Sequence, residues 1–403
     1  MLVSLSLALL AAACVGLMAL ALQLGLTLTC WRRADTARPA AFPAPGISVL
    51  KPLCGADDDL AQNLASFAAL DYPDYEVVLG VRSAADPAHA VARAAVARWP
   101  QRFRLVLQVG EPGLNPKVNQ LVTLADAARH DLVVVSDSNV RVAPGYLHEV
   151  ARAFEDPEVG CLTHPVVGVG ERRLGSLMDN LHLTASVAPG MVAAKLLVDR
   201  DLVVGKSMAL RRSDLDQVGG FFSAKDLLAE DHVIGTWVSR KLGKRVVVAS
   251  SPVFNVSQDK GVGAFYRRYQ RWGVLQRTVV APSTYLAQAL LNPAPLALLA
   301  ALLAPAAHTL AAVAALVGLK VALDLAMLHA LRGTRPPLAA APAVLLKDVL
   351  LFGAWVHAGL RQTVCWRGTR LHVLSGSRLV RPAPLAPQHA LPEPLPAEEL
   401  LPL

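Results

Sequence analysis

The chain is poor in cysteine, in aromatic residues and in charge. Its five cysteines are odd in number and form no CxxC pair, which argues against a disulfide framework and against a structural zinc site. Only 17% of its 403 residues are charged and 5% are aromatic, whereas 54% are hydrophobic. A composition this apolar excludes an ordinary soluble protein. It predicts a folded domain that apolar segments hold at a membrane.

Long uncharged runs lie at both ends of the chain. The first, Val3–Thr29, exceeds the roughly 20 residues that a membrane-spanning helix needs, which predicts a transmembrane helix over residues 1–29. A cleaved signal peptide is the alternative, favoured by the small residues at 11–14, although the segment lacks a basic start. Two or three more transmembrane helices are predicted within residues 281–360, from apolar stretches at Leu286–Leu303, Ala311–Leu331 and Leu338–Leu360.

Basic residues follow the first apolar run, and none precedes it. Arg32, Arg33 and Arg38 come directly after the run, so the positive-inside rule predicts that the next domain faces the cytoplasm. The formal charge of +8 could indicate nucleic acid, but the basic residues cluster near the membrane segments. Anionic membrane lipids explain the excess better, and we expect no nucleic-acid partner.

Strand and helix patterns alternate in the middle of the chain. We predict a proline-rich linker over residues 30–45 and a cytoplasmic domain over residues 46–280. Buried strands are predicted at Ile47–Leu50, Glu76–Val81, Phe103–Val109, Leu132–Ser136 and Arg245–Ala249, with a strand pair or a strand and turn at Leu202–Arg211. Helices are predicted at Asp59–Ala69, Pro87–Arg98, Val118–Ala128 and Ala229–Lys241. This alternation indicates an α/β fold whose mostly parallel sheet is covered by helices on both faces.

Three smaller features complete the predicted organisation. A helix near residues 262–275 is rich in cations and aromatic residues, so we expect it to lie at the membrane interface. Lys320 and Asp324 are four residues apart in an apolar segment, and we interpret them as a pair that permits insertion. Residues 361–403 are predicted to be a tail that is disordered from Pro382 onward.

Carboxylates follow two of the predicted strands. Asp137 comes directly after Leu132–Ser136, where a strand-end carboxylate can hold a divalent cation such as Mg²⁺ or Mn²⁺. Asn139, two residues on, can add its amide oxygen as a ligand or bind substrate hydroxyls. Asp86 can accept hydrogen bonds from a nucleoside. The alternatives are a turn built from Asp137 and Asn139, and a helix N-cap at Asp86.

Charged residues also begin two predicted helices. Lys117 lies near free backbone N–H groups, a setting that suits phosphate; an ordinary surface lysine is the alternative. Glu230 and Asp231 emerge from apolar surroundings, where burial can raise a carboxyl pKa toward that of a useful base. We take Asp231 as the candidate base. The alternative for both carboxylates is stabilisation of the helix start.

A basic and aromatic cluster follows at residues 268–272. Arg268 and Arg271 are three residues apart on one helical face, and Trp272 lies beside them. Such cations can hold a diphosphate, and the ring can stack on a sugar. An interfacial helix that binds acidic lipids is the alternative. His164 and His232 have no partners at metal-ligand spacing, so we interpret both as structural.

These motifs occur in the order found in the ceramide glucosyltransferase family. The order is Asp86, then Asp137-Ser138-Asn139, then Glu230-Asp231, then Arg-x-x-Arg-Trp at 268–272, and the sequence resembles that family over Ile47–Trp272. The further matching segments are Val49–Gly55, Asp71–Pro73, Asn115–Asn119 and Arg212–Gly220. The resemblance implies an inverting enzyme of GT-A fold in a bacterial inner membrane. It also implies nucleotide-sugar and metal roles for Asp86 and Asp137.

The resemblance further implies a base role for Asp231 and a clamp at Arg268, Arg271 and Trp272. We expect a UDP-sugar donor, glucose in the first instance, and a lipid acceptor, ceramide or a similar lipid. Two departures concern the acceptor: Thr184–Pro189 lacks a histidine that animal members often have, and Asn139 replaces a frequent glycine. Transfer of N-acetylglucosamine to a hopanoid is therefore the first alternative. A non-catalytic membrane protein with a degenerate transferase domain is the second alternative. Processive polysaccharide synthases fit less well, because they need more membrane helices than are predicted here.

Overall fold

An α/β domain lies between apolar helices in the computed structural model, which describes residues 1–33, 44–56, 58–366 and 369–381. Most of the predicted linker and the tail beyond residue 381 fall outside these ranges. The described strands are β1 (Ile47–Pro52), β2 (Tyr75–Val81), β3 (Phe103–Leu107), β4 (Leu132–Val135), β5 (Val140–Arg141), β6 (Val159–Thr163), β7 (Val166–Val169), β8 (Met208–Arg211), β9 (Arg245–Val248), β10 (Val253–Val256), β11 (Thr363–Trp366), β12 (Thr369–Val373) and β13 (Leu379–Val380).

The helices fall into two groups, those that cover the sheet and those that are long and apolar. The described α-helices are α1 (Leu2–Arg33), α2 (Leu60–Ala68), α3 (Pro87–Arg98), α4 (Pro116–Ala127), α5 (Tyr146–Ala153), α6 (Leu174–His182), α7 (Ala188–Val198), α8 (Arg212–Gln217), α9 (Glu230–Leu242), α10 (Val262–Val279), α11 (Pro282–Ala287), α12 (Pro293–Leu303), α13 (Ala307–Arg332) and α14 (Ala340–Leu360). A π-helical turn, Leu183–Val187, joins α6 to α7.

The main sheet has seven strands in the order β3-β2-β1-β4-β8-β6-β9. Its first four strands are parallel, whereas β8 runs antiparallel to both neighbours. Alternate residues of β1 enter two different cores: Val49 packs with α2, α3 and α5, and Leu50 packs with α4 and α9. Helices therefore cover both faces, as the apolar strands predict. The predicted strands and helices are confirmed to within a few residues, and at Leu202–Arg211 the strand-and-turn alternative forms, with a turn at residues 205–206 before β8.

Asn and Asp caps fix the helices that begin at the carboxyl edge of the sheet. The side chain of Asn115 accepts hydrogen bonds from the backbone N–H groups of Lys117 and Val118, at 2.9 and 3.2 Å. Pro116 occupies the first helical position, so α4 begins two residues before the predicted start. This cap places Lys117 in the first turn of α4, directly beside the end of β4.

Among the described residues, four helical segments are long and apolar enough to cross a membrane: Leu2–Arg32, Leu174–Val198, Ala307–Arg332 and Ala340–Leu360. A fifth arises if the helical segments Pro282–Leu291 and Pro293–Leu303, which are bent by 77°, form one broken span. The sequence patterns did not indicate the segment at residues 174–198. It carries Asp179, His182 and Lys195, and these polar side chains interrupt its apolar run.

Four buried charges join α13 to α14. Asp324 accepts hydrogen bonds from Lys320 at 2.7 Å and from Lys347 at 2.9 Å. Asp348 pairs with the same two lysines, at 3.2 and 2.8 Å. The predicted contact between Lys320 and Asp324 is confirmed, but it is half of a neutral cluster of four. Each charge is thereby compensated inside an apolar helix pair.

The residues that follow α14 form a small antiparallel sheet, β11-β12-β13, where the sequence patterns indicated only a tail. This sheet binds the segment that precedes α9. The N–H groups of Leu228 and Ala229 donate to the carbonyl and hydroxyl oxygens of Ser377, at 2.8 and 3.2 Å. The N–H of Leu379 donates to the carbonyl of Asp226 at 2.7 Å. The small sheet therefore helps to hold the start of α9 in place.

Replacing Asp324 with asparagine tests the four-charge cluster. The change leaves Lys320 and Lys347 with one buried carboxylate between them, which should destabilise the protein by about 3–5 kcal/mol. Thermal unfolding of the protein in detergent measures the loss. Asp199→Asn is the control. Asp199 pairs with Lys195 at the surface, so its replacement should change the unfolding temperature little. Equal effects from the two changes would contradict this role of the cluster.

Candidate active site

Asp137 lies at the end of β4 with a lysine on each carboxylate oxygen. Oδ1 is 3.0 Å from Nζ of Lys117, and Oδ2 is 2.9 Å from Nζ of Lys206. The side chain keeps 25% of its surface exposed, whereas those of Lys117 and Lys206 keep 17% and 11%. The carboxylate is therefore held firmly and is still open to a ligand.

Lys117 connects Asp137 to the start of α9. Its ammonium lies 3.0 Å from Oε1 of Glu230 and donates to the carbonyl of Gly205 at 3.2 Å. Glu230 is almost fully buried, and its second oxygen accepts a hydrogen bond from the Asn115 side chain at 3.1 Å. A single ammonium thus links two carboxylates that come from positions 137 and 230 of the sequence.

Asp231 lies beside this ammonium at the start of α9. One oxygen accepts a hydrogen bond from the backbone N–H of Gly205, and the other accepts one from the N–H of His232 at 2.8 Å. Gly205 therefore contacts both Lys117 and Asp231. An added Cβ at this position would lie 2.6 Å from Nζ of Lys117 and 2.8 Å from Oδ2 of Asp231, so only glycine fits without displacement.

The pKa values of the carboxyl groups in the site are shifted in opposite directions. Burial would raise the pKa of Asp137, but the ammonium groups of Lys117 and Lys206 outweigh it and hold that pKa well below its ordinary range. Burial raises the pKa of both Glu230 and Asp231, and Lys117 only partly opposes the rise. The site therefore contains one permanent anion and, beside it, a carboxyl pair whose affinity for a proton is increased.

Two side-chain oxygens accept hydrogen bonds from the Lys206 ammonium. Besides Asp137, it donates to the side-chain oxygen of Asn139 at 2.6 Å. In the part of the chain that the structure describes, no three His, Cys, Asp or Glu side chains are grouped as ligands of one metal ion. Mg²⁺, however, is commonly bound by one or two protein oxygens together with substrate phosphates. Asp137 and Asn139 already share one cation, so this donor set fits such an ion.

Arg268 approaches the same edge of the sheet from α10. Its Nε lies 3.5 Å from Oδ1 of Asp179, which also accepts a hydrogen bond from the hydroxyl of Tyr269 at 2.7 Å, while Oδ2 pairs with Lys260 at 2.7 Å. Burial opposes the charge on Arg268, but Asp179 outweighs it and raises the pKa of the guanidinium, and Asp137 contributes in the same direction. The guanidinium also lies over the Trp272 ring, 5.0 Å from its centroid.

Trp272 and Asp86 have different surroundings from the central cluster. Trp272 packs against the core of the α/β domain and against the core formed by α6, α10, α13 and α14. The carboxylate of Asp86 accepts hydrogen bonds from the backbone N–H groups of Gly55 and Ala88, at 2.8 and 2.9 Å. Asp86 is thus an N-cap, as one of its two interpretations predicts, at the same end of the sheet.

A comparison with known protein families identifies the group to which this site belongs. The model of Glycosyl transferase family 21 matches residues 8–379, which include both the carboxylate cluster and the apolar helices. The chain belongs to glycosyl transferase family 21. The resemblance to ceramide glucosyltransferases seen in the sequence is thereby confirmed.

The family 21 chain is similar to two ceramide glucosyltransferases of a nematode. It is 28% identical over 239 residues to ceramide glucosyltransferase 1 of Caenorhabditis elegans, covering 57% of this chain and 49% of the relative. It is 24% identical over 355 residues to ceramide glucosyltransferase 3 of the same organism, covering 84% of this chain and 75% of the relative. The chain therefore spans about half the length of the first relative and three quarters of the second.

A solved structure supports the fold of this family 21 protein. The mannosyltransferase PcManGT from Pyrobaculum calidifontis, in complex with GDP-Man and Mn²⁺, superposes with a TM-score of 0.51 at 21% sequence identity. The match covers 89% of this chain and 99% of that one. The predicted GT-A fold, an α/β domain with a mostly parallel sheet and apolar helices near both ends, is confirmed.

The structure brings together most residues that sequence motifs indicated in this family 21 chain. Asp137, Lys117, Glu230 and Asp231 form one cluster, Asn139 joins it through Lys206, and Arg268 lies within electrostatic range. Arg271 is on the same helix as Arg268 and is partly exposed. His164 lies outside this cluster, where it is buried and hydrogen-bonded to Ser207 at 2.8 Å. His232 meets the cluster through its backbone N–H, which donates to Asp231.

Sequence reasoning missed two residues of the candidate site. Lys206 sits in a turn before β8, and its only local signal is the neighbouring Gly205. Asp179 lies in an apolar helix, where a lone buried carboxylate is costly unless it is paired with a cation. That cost is the signal that could have marked Asp179 as a partner for Arg268.

Replacing Gly205 with alanine tests whether the close approach of Lys117 and Asp231 matters for glycosyl transfer. The added methyl displaces both charged groups, and a displacement of about 1 Å can cost a factor of about a hundred in rate. We expect kcat to fall by that order while the unfolding temperature changes little. Gly190→Ala is the matched control, because a Cβ added there meets no atom within 4 Å beyond its chain neighbours and the backbone of its own helix. A kcat for Gly205→Ala equal to that of the wild type would contradict a role for this close approach in glycosyl transfer.

Proposed function

We propose that the protein transfers glucose from UDP-glucose to the primary hydroxyl of ceramide, or of a similar membrane lipid, with inversion of the anomeric centre. The observation that carries the proposal is the cluster at the carboxyl edge of the sheet, in which Lys117 joins Asp137 to Glu230 beside Asp231. Ligands of open α/β sheets bind at this edge. The names of the two worm relatives support glucose as the sugar and ceramide as the acceptor.

Asp231 acts as the general base in this proposal. Its carboxylate accepts the proton of the acceptor hydroxyl as that oxygen forms its bond to the anomeric carbon. The bond between the anomeric carbon and the diphosphate oxygen breaks in the same step, and UDP leaves with the electron pair. Because attack and departure occur on opposite faces, a single displacement inverts the configuration. The N–H groups of Gly205 and His232 hold the base in one orientation.

The cations around Asp137 bind the departing diphosphate. Lys117, Lys206 and Arg268 provide three positive charges at the edge where the phosphates would lie. Asp137 and Asn139 would hold a divalent cation, Mg²⁺ or Mn²⁺, which when bound neutralises the charge that develops on the diphosphate. The GDP-Man and Mn²⁺ bound by the mannosyltransferase with the same fold support a role for such an ion.

The remaining predicted residues contact the substrates. Asp86, beside β2, would accept hydrogen bonds from uridine or ribose, and Glu230 would align the sugar next to Lys117. Arg271 and Trp272 complete the clamp at the membrane side. The position of Trp272 between the α/β core and the core of apolar helices supports an acceptor that enters from the bilayer. The proposed location is a bacterial inner membrane, with the α/β domain in the cytoplasm.

Analysis of products decides between the proposed acceptors and donors. Purified protein in detergent receives UDP-glucose or UDP-N-acetylglucosamine, each with ceramide or with a hopanoid polyol, and mass spectrometry identifies the lipid products. We expect glucosylceramide, with its anomeric configuration inverted relative to UDP-glucose by nuclear magnetic resonance. Glycosylation of the polyol alone would contradict the ceramide proposal, and no transfer from any pairing would favour a non-catalytic protein.

Replacing Asp231 with asparagine should remove the base and preserve the shape of the site. We expect kcat to fall by a factor of about 10² to 10⁴, the contribution typical of a general base, while UDP binding stays close to that of the wild type. Single-turnover kinetics and UDP titration measure the two quantities. Asp216→Asn, an exposed change on α8, is the control. Unchanged turnover would remove Asp231 from the mechanism.

The pH dependence of turnover tests the charge environment of the base. Asp231 must be ionised to accept a proton, and burial raises its pKa, so kcat should fall on the acid side at a higher pH than an exposed aspartate would give. Lys117 lowers the same pKa. Lys117→Met should therefore move the acid limb to still higher pH, whatever it does to the maximum rate. A limb that stays fixed or moves to lower pH would contradict the assignment.

A further inference from the structure

The Lys206 ammonium lies between two side-chain oxygens, one from Asp137 and one from Asn139. It is 2.9 Å from Oδ2 of Asp137 and 2.6 Å from Oδ1 of Asn139. The other oxygen of Asp137 is already paired with Lys117. Both oxygens that could bind a divalent cation together are therefore held by one side chain of the protein itself.

The orientation of Asn139 does not depend on Lys206. The Nδ2 group of Asn139 donates to the carbonyl of Val256 at 3.3 Å, and the N–H of Val256 donates to the carbonyl of Asn139 at 2.8 Å. These bonds from β10 point the amide oxygen toward Asp137. The donor pair is thus built by the fold and would persist if the ammonium left it.

Lys206 lies on a fixed backbone with a side chain that can move. The neighbouring Ser207 binds the hydroxyl of Tyr146 at 2.7 Å and the ring of His164 at 2.8 Å, and the N–H of Gly205 binds Asp231. The side chain itself is a flexible four-carbon stem and keeps 11% of its surface exposed. It can therefore leave Asp137 without disturbing the turn.

We propose that Lys206 is a tethered competitor that holds the divalent-cation site until the metal arrives with the donor diphosphate. This rests on the proposed function. Without a ligand, Asp137, Glu230 and Asp231 place three carboxyl groups around Lys117, and Lys206 supplies the compensating charge. When the cation binds Asp137 and Asn139, the ammonium is released next to the anionic diphosphate. Metal affinity is consequently low in the free protein and increases with UDP.

Titration with Mn²⁺, followed by electron paramagnetic resonance, tests this proposal on the full chain in detergent. Lys206→Met removes a charged hydrogen-bond competitor, so the Kd for Mn²⁺ without UDP should fall by at least about tenfold. Lys206→Arg keeps a cation and should bind Mn²⁺ as weakly as the wild type. Lys241→Met, the same change at an exposed position of α9, should leave the Kd unchanged. Asp137→Asn should remove the gain from Lys206→Met.

Two results would overturn the proposal. One is a Kd for Mn²⁺ that is unchanged or weaker in Lys206→Met, with folding verified by thermal unfolding; the other is a gain that Asp137→Asn does not remove. If Lys206→Met does not fold, Lys206→Gln provides the same comparison. Because the readout is metal binding, it stays informative even if no sugar transfer is found, so the two proposals can fail separately.

Discussion

The ion pairs of Lys117 are the interaction on which the rest of the site depends. Asp137 ends a central strand, and Glu230 and Asp231 begin a helix, so the fold brings three carboxyl groups to one partly buried edge. Like charges at such distances repel strongly in a medium of low polarity. Lys117, placed there by the Asn115 cap, lies between them and offsets the repulsion. Asn115 also donates a hydrogen bond to Glu230. One residue therefore caps α4, which carries Lys117, and orients the carboxylate that pairs with Lys117.

The site is joined to the apolar helices by shared residues. Asp179 comes from an apolar helix and holds Arg268, Tyr269 and Lys260, which belong to α10 and the loop before it. The ring of Tyr269 in turn contacts that of His182, the last residue of α6 before the π-helical turn, with the ring centroids 4.7 Å apart. π-Helical turns often occur at functional sites. A change in how α6 packs against its neighbours would therefore reach Arg268 through the carboxylate of Asp179.

The sequence indicated those parts of the site that have a local signal. Asp137 follows an apolar strand, Lys117 follows an Asn-Pro cap, and Glu230 and Asp231 start a helix, so each can be recognised from its neighbours. Lys206 cannot, because its partner Asn139 is 67 residues away and only the antiparallel strand β8 brings them together. Strands β11 to β13 were missed because they are short and follow the last apolar helix. Asp179 was missed because it lies in an apolar helix and its partners come from later in the chain.

The central claim is that the lysine-bridged carboxylates at the end of β4 form the nucleotide-sugar site. A structure of the protein in complex with UDP and Mn²⁺, at a resolution that shows side chains, tests it most directly. The account predicts the diphosphate beside Lys117 and Arg268, with the manganese ion bound to Asp137. UDP bound away from Asp137, with the contacts of Lys117 to Asp137 and Glu230 unchanged, would contradict it.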